Sequence, residues 1–181
     1  MNYLTLLLQA NRTLFHTQDL RVLWGISNSN TLYTTIKRYI QRGVLFPVQK
    51  GLYSTLPLSK LDPWALGVVA VHAYAYVSCE SVLAKAGYLN HIPQAITLVG
   101  PQAKKFELGG QRHVVRQLAD QFLFRPEGVV VENGVRQATA VRALADLLYF
   151  NPHAQLDASV PWGSIRNMQK DLGYPVTKRR S

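Results

Sequence analysis

The stretch of sequence at residues 29–41 combines hydroxyl, amide and cationic side chains at helical spacing. Apolar residues recur in it at i, i+4, i+7 and i+8, which predicts an amphipathic helix with one core-facing side. Those residues are Leu32, Ile36, Tyr39 and Ile40. The opposite side carries Asn30, Thr31, Tyr33, Thr34, Lys37, Arg38 and Gln41. Hydroxyls and amides can bond to base edges or phosphates, and Lys and Arg neutralise phosphates, so this side is suited to contact DNA.

Acidic residues are absent between Arg21 and Lys60. Because a soluble helix normally mixes both charge signs, a surface of one positive sign favours a polyanionic partner. The other interpretation is a solvated basic face that binds nothing.

A pair of helices joined by a tight turn is expected to position this face. The first should begin at Thr17, an N-cap residue, and carry Leu20 and Trp24 on its apolar side. Gly25 suits the left-handed turn that ends it. A residue between 27 and 30 then caps the second helix.

Two β-type runs at 44–48 and 52–55 follow and predict a hairpin. The loop between them, 49–51, ends in Gly, which is typical of a type I turn followed by a left-handed residue. Pro47 places the first run at a sheet edge. Helix, turn, helix and hairpin follow one another as in a winged helix-turn-helix, where Lys50 at the wing tip could touch a phosphate or the minor groove.

The expected partner is double-stranded DNA, and the expected contacts come from the second helix and the wing. The predicted DNA-binding residues are Ser29, Asn30, Thr31, Tyr33, Thr34, Lys37, Arg38, Gln49 and Lys50. The short neutral side chains near the helix start are best suited to read bases, and the cationic ones to hold phosphates.

The composition of the 181-residue chain fits a folded protein, because 48% of its residues are hydrophobic. The net charge is +10, and residues 1–60 hold seven Lys and Arg against one acid. The segment 56–63, with two prolines, predicts a linker. We therefore expect a winged helix at 1–57, an α+β domain at 62–177 and a basic tail at 178–181.

The second domain mixes helical and strand patterns, which predicts an α+β fold. Gly-Gly at 109–110 and Asn-Gly at 133–134 lie between β-type runs and predict hairpins. Pro63 is expected to open a helix that ends near Ala73, whereas Thr139 caps a later one.

No arrangement of residues in the sequence indicates catalysis or a metal site. The five histidines lack metal-ligand spacing, and Cys79 is the only cysteine. Cys79 follows Ser78, a predicted helix cap, which can lower a thiol pKa, but a buried inert thiol is the simpler interpretation. Asp146 could act as a base, although Arg142 at i−4 favours a salt bridge. We expect no enzyme activity, no catalytic residues, no metal and no cofactor.

Membrane insertion is not expected from the hydropathy pattern. The apolar run at 66–77 is too short to span a bilayer, and His72 interrupts it. The start of the chain lacks the basic region and long apolar core of a signal peptide. The expected location is the cytoplasm, in association with the nucleoid.

Four segments, in this order, resemble the AbiEi-type antitoxins, the transcriptional regulators of bacterial type IV toxin–antitoxin modules. They read GVLFPVQKGLYS, YVSCESVLAKAGYLN, ITLVG and NGVRQATAVRALADLLYF. The resemblance extends over residues 20–175, and its second and fourth segments are more specific than the winged helix.

This resemblance implies a repressor that binds inverted repeats in its own promoter and so regulates its own operon. A neighbouring gene would encode a nucleotidyltransferase-like toxin, which such antitoxins counter without a stable complex. A homodimer on DNA would match the repeats. One alternative is a winged-helix regulator whose second domain dimerises or senses a ligand, for which a pocket lined by Tyr149 and Trp162 would be evidence. Another is an enzyme that modifies nucleic acid, which would require acids or histidines clustered in space.

Overall fold

The computed structural model describes residues 2–178 and divides the chain into two compact units, Met1–Asp62 and Pro63–Ser181. Each unit has its own hydrophobic core. The predicted basic tail lies outside the described residues except for Lys178. No helix found between residues 2 and 178 is long and apolar enough to cross a membrane.

The first unit is a winged helix-turn-helix. Its elements are α1 (Tyr3–Gln9), β1 (Leu14–His16), α2 (Thr17–Trp24), α3 (Ser29–Gln41), β2 (Phe46–Gln49) and β3 (Leu52–Ser54). The strands form an antiparallel sheet in the order β1-β3-β2, so β2 is an edge strand, as Pro47 predicts. Helices α2 and α3 form the helix-turn-helix, and the β2–β3 hairpin is the wing.

Apolar side chains from all three helices and from β1 form the core of this unit. Phe15, Leu20 and Leu32 are fully buried. The ring of Trp24 lies 5.3 Å from the rings of both Tyr3 and Tyr39, measured between centroids. This aromatic cluster joins α1 and α2 to the apolar side of α3, which leaves the opposite side of α3 for solvent.

The start of α2 differs from the prediction. The N-cap is His16 and not Thr17, and the backbone N–H of His16 donates to the Asp19 carboxylate at 2.7 Å. Strand β1, which immediately precedes the helix, is not predicted from the sequence. It has three residues, too few for an alternating pattern, and it exists because Phe15 pairs with Tyr53 of β3.

The first wing strand also begins later than predicted, at Phe46. The N–H groups of Val44 and Leu45 both donate to the carbonyl of Tyr39, so these residues close the end of α3 and cannot join the sheet. Gln49 is the last residue of this strand, not part of the loop.

The second unit is a six-stranded mixed sheet with helices. Its elements are α4 (Pro63–Ala70), β4 (Tyr76–Val77), α5 (Cys79–Lys85), β5 (Ile96–Gly100), β6 (Lys104–Leu108), β7 (Gln111–Gln117), α6 (Asp120–Leu123), β8 (Val129–Glu132), β9 (Val135–Ala138), α7 (Ala140–Phe150) and α8 (Trp162–Leu172). The strand order is β6-β7-β5-β4-β9-β8, parallel at β5–β7 and β4–β9 and antiparallel elsewhere. The fold class predicted from the sequence, α+β after a winged helix, is confirmed.

Local signals in this unit predict elements well and their ends less well. Both predicted hairpins form, β6–β7 and β8–β9. Helix α4 ends at Ala70 and not near Ala73, because His72 adopts a left-handed conformation with φ 59° that a helix cannot continue.

Candidate nucleic-acid interface

Asn28 is the N-cap of α3 and immediately precedes its first residue, Ser29. Its backbone is extended, and its Oδ1 accepts the N–H of Thr31 at 3.0 Å, which satisfies one of the free donors at a helix start. The buried side of α3 consists of Leu32, Thr35, Ile36 and Tyr39, with Ile40 half-buried. Thr35 is buried together with the apolar residues that the sequence pattern predicts. The polar face of the helix lies on the opposite side, where the periodicity predicts it.

All seven α3 residues predicted to face DNA, from Ser29 to Arg38, are exposed. At about 100° per residue, Asn30, Thr34 and Lys37 lie opposite the centre of the buried side, in one line with Gln41. Arg38 lies beside that line on one flank and Tyr33, 56% exposed, on the other. The helix therefore presents a neutral polar line near its start and cations further along.

Two of the seven, Ser29 and Thr31, also take part in the turn. The Oγ of Ser29 accepts a hydrogen bond from Arg21 Nη2 at 3.0 Å. The hydroxyl of Thr31 donates to Asn28 Oδ1 at 3.4 Å. The structure thus separates these two from the residues on the outward line.

The wing places Lys50 in the exposed tip and leaves Gln49 half-buried in β2. Gly51 has a positive φ of 77°, which favours glycine there. Its carbonyl accepts the N–H of Thr17 at 2.9 Å, so the wing tip is fastened to the first residue of α2. Gln49 is therefore less accessible to a partner than Lys50 is.

Arg42 is a candidate that the sequence interpretation missed. It is exposed at the C-cap of α3, and helical geometry places it on the same flank as Arg38. The sequence signal for Arg42 is the basic segment KRYIQR at 37–42, which extends one residue beyond Gln41, the last residue assigned to the polar side. Arg12 is a weaker candidate, because it pairs with Asp19 at 3.4 Å and lies over the ring of Phe15.

The second unit contains a buried charged cluster around Asp146. Arg142 Nε donates to Asp146 Oδ1 at 2.9 Å, and both residues are fully buried. The hydroxyls of Tyr76 and Ser78 donate to Oδ2 at 3.1 and 2.7 Å, and that of Tyr174 to Oδ1 at 2.8 Å. The salt bridge favoured by the i, i+4 spacing is confirmed, and the carboxylate that could have been a base is already fully hydrogen-bonded.

Burial and the charge of Asp146 together determine the ionisation of this cluster. It raises the pKa of Tyr76 and Tyr174, with Asp146 as the next cause, so both phenols hold their protons more tightly than in water. Burial opposes the charge of Arg142, but Asp146 and Tyr76 outweigh it and raise the pKa of the guanidinium. The raised pKa values keep both phenols neutral and the guanidinium charged, and these are the protonation states that donate the hydrogen bonds described above.

Cys79 lies at the start of α5 in a left-handed conformation with φ 50°. It is fully buried, and burial raises its pKa. The thiolate is therefore disfavoured, as in an inert core cysteine. Within residues 2–178 there is no group of three or more His, Cys, Asp or Glu side chains that could hold a metal ion.

An open cleft of about 1020 Å³ lies between the end of α7, the start of α8 and the chain after it. Tyr149 and Trp162 both line it, together with His153 and Lys178. Acidic side chains are absent from its described lining.

The fold and the α3 face together define a winged helix whose helix α3 exposes neutral polar and cationic side chains, followed in the chain by an α+β unit. Neither the family models nor the curated proteins compared with the sequence match it. Among solved structures, the crystal structure of the RV2827C protein from Mycobacterium tuberculosis is similar, with a TM-score of 0.52 and 18% identity. The likeness covers 93% of this chain and 64% of that chain. At this identity it shows a shared fold.

Proposed function

We propose that this protein is a sequence-specific DNA-binding repressor that acts as the antitoxin of a type IV toxin–antitoxin module. The observation that carries DNA binding is the outward face of α3, on which all exposed side chains are neutral polar or cationic. The turn and the wing next to it also lack acidic residues. Such a face matches the phosphates and base edges of a major groove.

The contacts divide by chemistry. Lys37 and Arg38, with Lys50 on the wing, would neutralise phosphates and provide affinity for any duplex. Asn30 and Thr34 would read base edges. The DNA would be the inverted repeats of the protein's own promoter, bound by a homodimer, so that the protein represses its own operon.

The antitoxin role rests on the sequence resemblance to the AbiEi type. The functional partner would be a nucleotidyltransferase-like toxin encoded next to this gene and countered without a stable complex. The protein would work in the cytoplasm, largely on the nucleoid, without catalytic residues, cofactor or metal.

The first experiment measures binding of the full chain to a labelled duplex from the region upstream of its own gene. A scrambled duplex of equal length and composition is the control. We expect tighter binding to the upstream duplex, by at least about 10³-fold at physiological salt. Equal affinity for both duplexes would contradict sequence-specific repression, and no binding to either would contradict DNA binding itself.

A second candidate is a regulator whose second unit senses a small ligand. The cleft that Tyr149 and Trp162 line favours it. The test measures promoter binding by the wild type and by Trp162→Ala. Each protein is measured in cell extract depleted of small molecules and again in extract supplemented with them. A change in affinity that only the wild type shows would support sensing, and identical curves would reject it.

A further inference from the structure

Arg21 spans the turn of the helix-turn-helix. From α2, its Nη1 donates to the carbonyl of Ser27 at 2.5 Å, and its Nη2 donates to the hydroxyl of Ser29 at 3.0 Å. Ser27 lies in the turn and Ser29 is the first residue of α3. One planar guanidinium therefore holds α2, the turn and the start of α3 together.

We infer that Arg21 is a positioning residue for sequence reading, and that Asn30 and Thr34, rather than Ser29 and Thr31, contact the base edges. This inference rests on the proposed function, since it concerns how the same α3 face distinguishes DNA sequences. Arg21 itself would not touch DNA.

The assignment of the reading residues follows from how the hydroxyls are used. Ser29 accepts the Arg21 bond, and Thr31 donates to the Asn28 cap, so both hydroxyls are directed into the turn. Asn30 and Thr34 are exposed at i and i+4 on the outward line of the helix. In a helix-turn-helix, residues near the start of the recognition helix meet the base edges, which is where these two lie.

The case for positioning rests on the geometry of the guanidinium. Its rigid fork fits two acceptors at once and loses less conformational freedom per bond than a lysine would. Base contacts are effective only when the reading side chains are held within about 0.5 Å of the productive geometry. Loss of the two guanidinium hydrogen bonds should let the start of α3 shift. Such a shift weakens base contacts but leaves phosphate contacts largely intact.

The test uses the full-length protein and two duplexes, one selected by the wild type from a random-sequence pool and one scrambled. Arg21→Met keeps most of the apolar stem, and Arg38→Met is the matched control from the exposed flank of α3. Because a good base contact discriminates by roughly 5- to 150-fold, we expect Arg21→Met to lower the affinity ratio of the two duplexes at least about fivefold. For Arg21→Met, the slope of log affinity against log salt concentration (the salt slope) should stay at the wild-type value. Arg38→Met should instead keep the affinity ratio and reduce this slope by about 0.9.

Further variants make the inference falsifiable if Arg21→Met folds poorly, as its melting temperature would reveal. Arg21→Lys retains the charge but not the fork, and should also lower the ratio at unchanged salt slope. Ser29→Ala should act in the same direction and add nothing to Arg21→Met. Asn30→Ala or Thr34→Ala should change which base pair the selected sites prefer.

Three results would overturn the inference. The first is a loss of about 0.9 in salt slope for Arg21→Met with equal losses on both duplexes, which would make Arg21 a phosphate contact. The second is an affinity ratio that stays at the wild-type value in both Arg21 variants. The third is a changed base preference in Ser29→Ala together with none in Asn30→Ala. If the wild type selects no consensus sequence at all, the proposed function fails first, which is a distinguishable outcome.

Discussion

Arg142 and Asp146 show how single residues can make a charged core stable. Each charge removed from water costs several kcal/mol unless it is paired and its remaining hydrogen-bonding groups are satisfied. Arg142 Nη1 also donates to the carbonyls of Arg125 and Glu127, and its Nη2 donates to the hydroxyl of Tyr76, so four of its five N–H donors are used. Tyr174 brings the segment after α8 to the same carboxylate. The cluster therefore links α7, β4 and the C-terminal segment of the second unit.

The two buried phenols predict a loss of stability in alkali. In the unfolded chain each tyrosine deprotonates near its ordinary pKa of 10.0, but in the folded protein the raised pKa keeps Tyr76 and Tyr174 protonated. Above about pH 10 the native state thus binds more protons, and the free energy of unfolding falls by about 1.4 kcal/mol per pH unit for each phenol. Urea unfolding between pH 8 and 11 measures this slope. Tyr76→Phe should remove the contribution of one phenol, about 1.4 kcal/mol per pH unit above pH 10, whereas the exposed control Tyr33→Phe should leave the slope unchanged.

Lys37 is predicted to act on DNA through its charge alone. Lys37→Ala should weaken binding to specific and scrambled duplexes alike and reduce the slope of log affinity against log salt by about 0.9. Titrations at several salt concentrations measure this. Lys170→Ala, an exposed lysine of α8, is the control and should keep the wild-type slope. An unchanged slope for Lys37→Ala would remove this residue from the phosphate contacts.

At the scale of elements, the cap of α3 should matter for stability separately from DNA contact. Asn28→Ala removes the side-chain acceptor of the Thr31 N–H and should cost about 1 kcal/mol in the free energy of unfolding. Asn30→Ala, two residues on and exposed, should change stability by less than about 0.5 kcal/mol. Denaturant unfolding of both variants compares them, and equal losses would argue against Asn28 as the cap.

Helix α4 approaches β7 so closely that only glycine fits at position 67. A Cβ there would lie 2.5 Å from Cδ2 of His113, whose Nε2 is hydrogen-bonded to the Pro63 carbonyl at 3.0 Å. Gly67→Ala should therefore destabilise the protein by about 1–3 kcal/mol through overpacking. Gly163→Ala in α8 meets no atom within 4 Å and should be neutral or slightly stabilising. Thermal unfolding of both variants is the measurement, and a neutral Gly67→Ala would show that His113 can move aside.

At the scale of the whole molecule, we expect repression and protection from the toxin to be separable. The double variant Lys37→Ala/Arg38→Ala should lose promoter repression but still protect cells from the neighbouring toxin, because the segments that most resemble the antitoxins lie in the second unit. Asp146→Asn disturbs the charged cluster in that unit and should lose protection. A promoter reporter and growth during toxin expression measure the two activities. If the double variant fails to protect, protection requires DNA binding.

Much of this protein could be predicted because the responsible signals are local. The 3.6-residue period of Leu32 and Ile36 predicts α3 and its polar face, and Asn-Gly at 133–134 predicts a hairpin. Both depend on residues within a few positions of one another. The winged helix follows from the order of such elements, and its polar face is where the periodicity places it.

Tertiary structure alone decided the rest, for reasons of distance along the chain. Strand β1 exists only through pairing with β3, and the order β6-β7-β5-β4-β9-β8 depends on contacts between remote segments. Tyr76 and Tyr174 reach Asp146 from 70 and 28 residues away. The Arg21 bonds cross a turn whose geometry no periodicity specifies. Which residues form an amphipathic face is thus set by the sequence, whereas which polar groups bond one another is set by how the fold brings distant segments together.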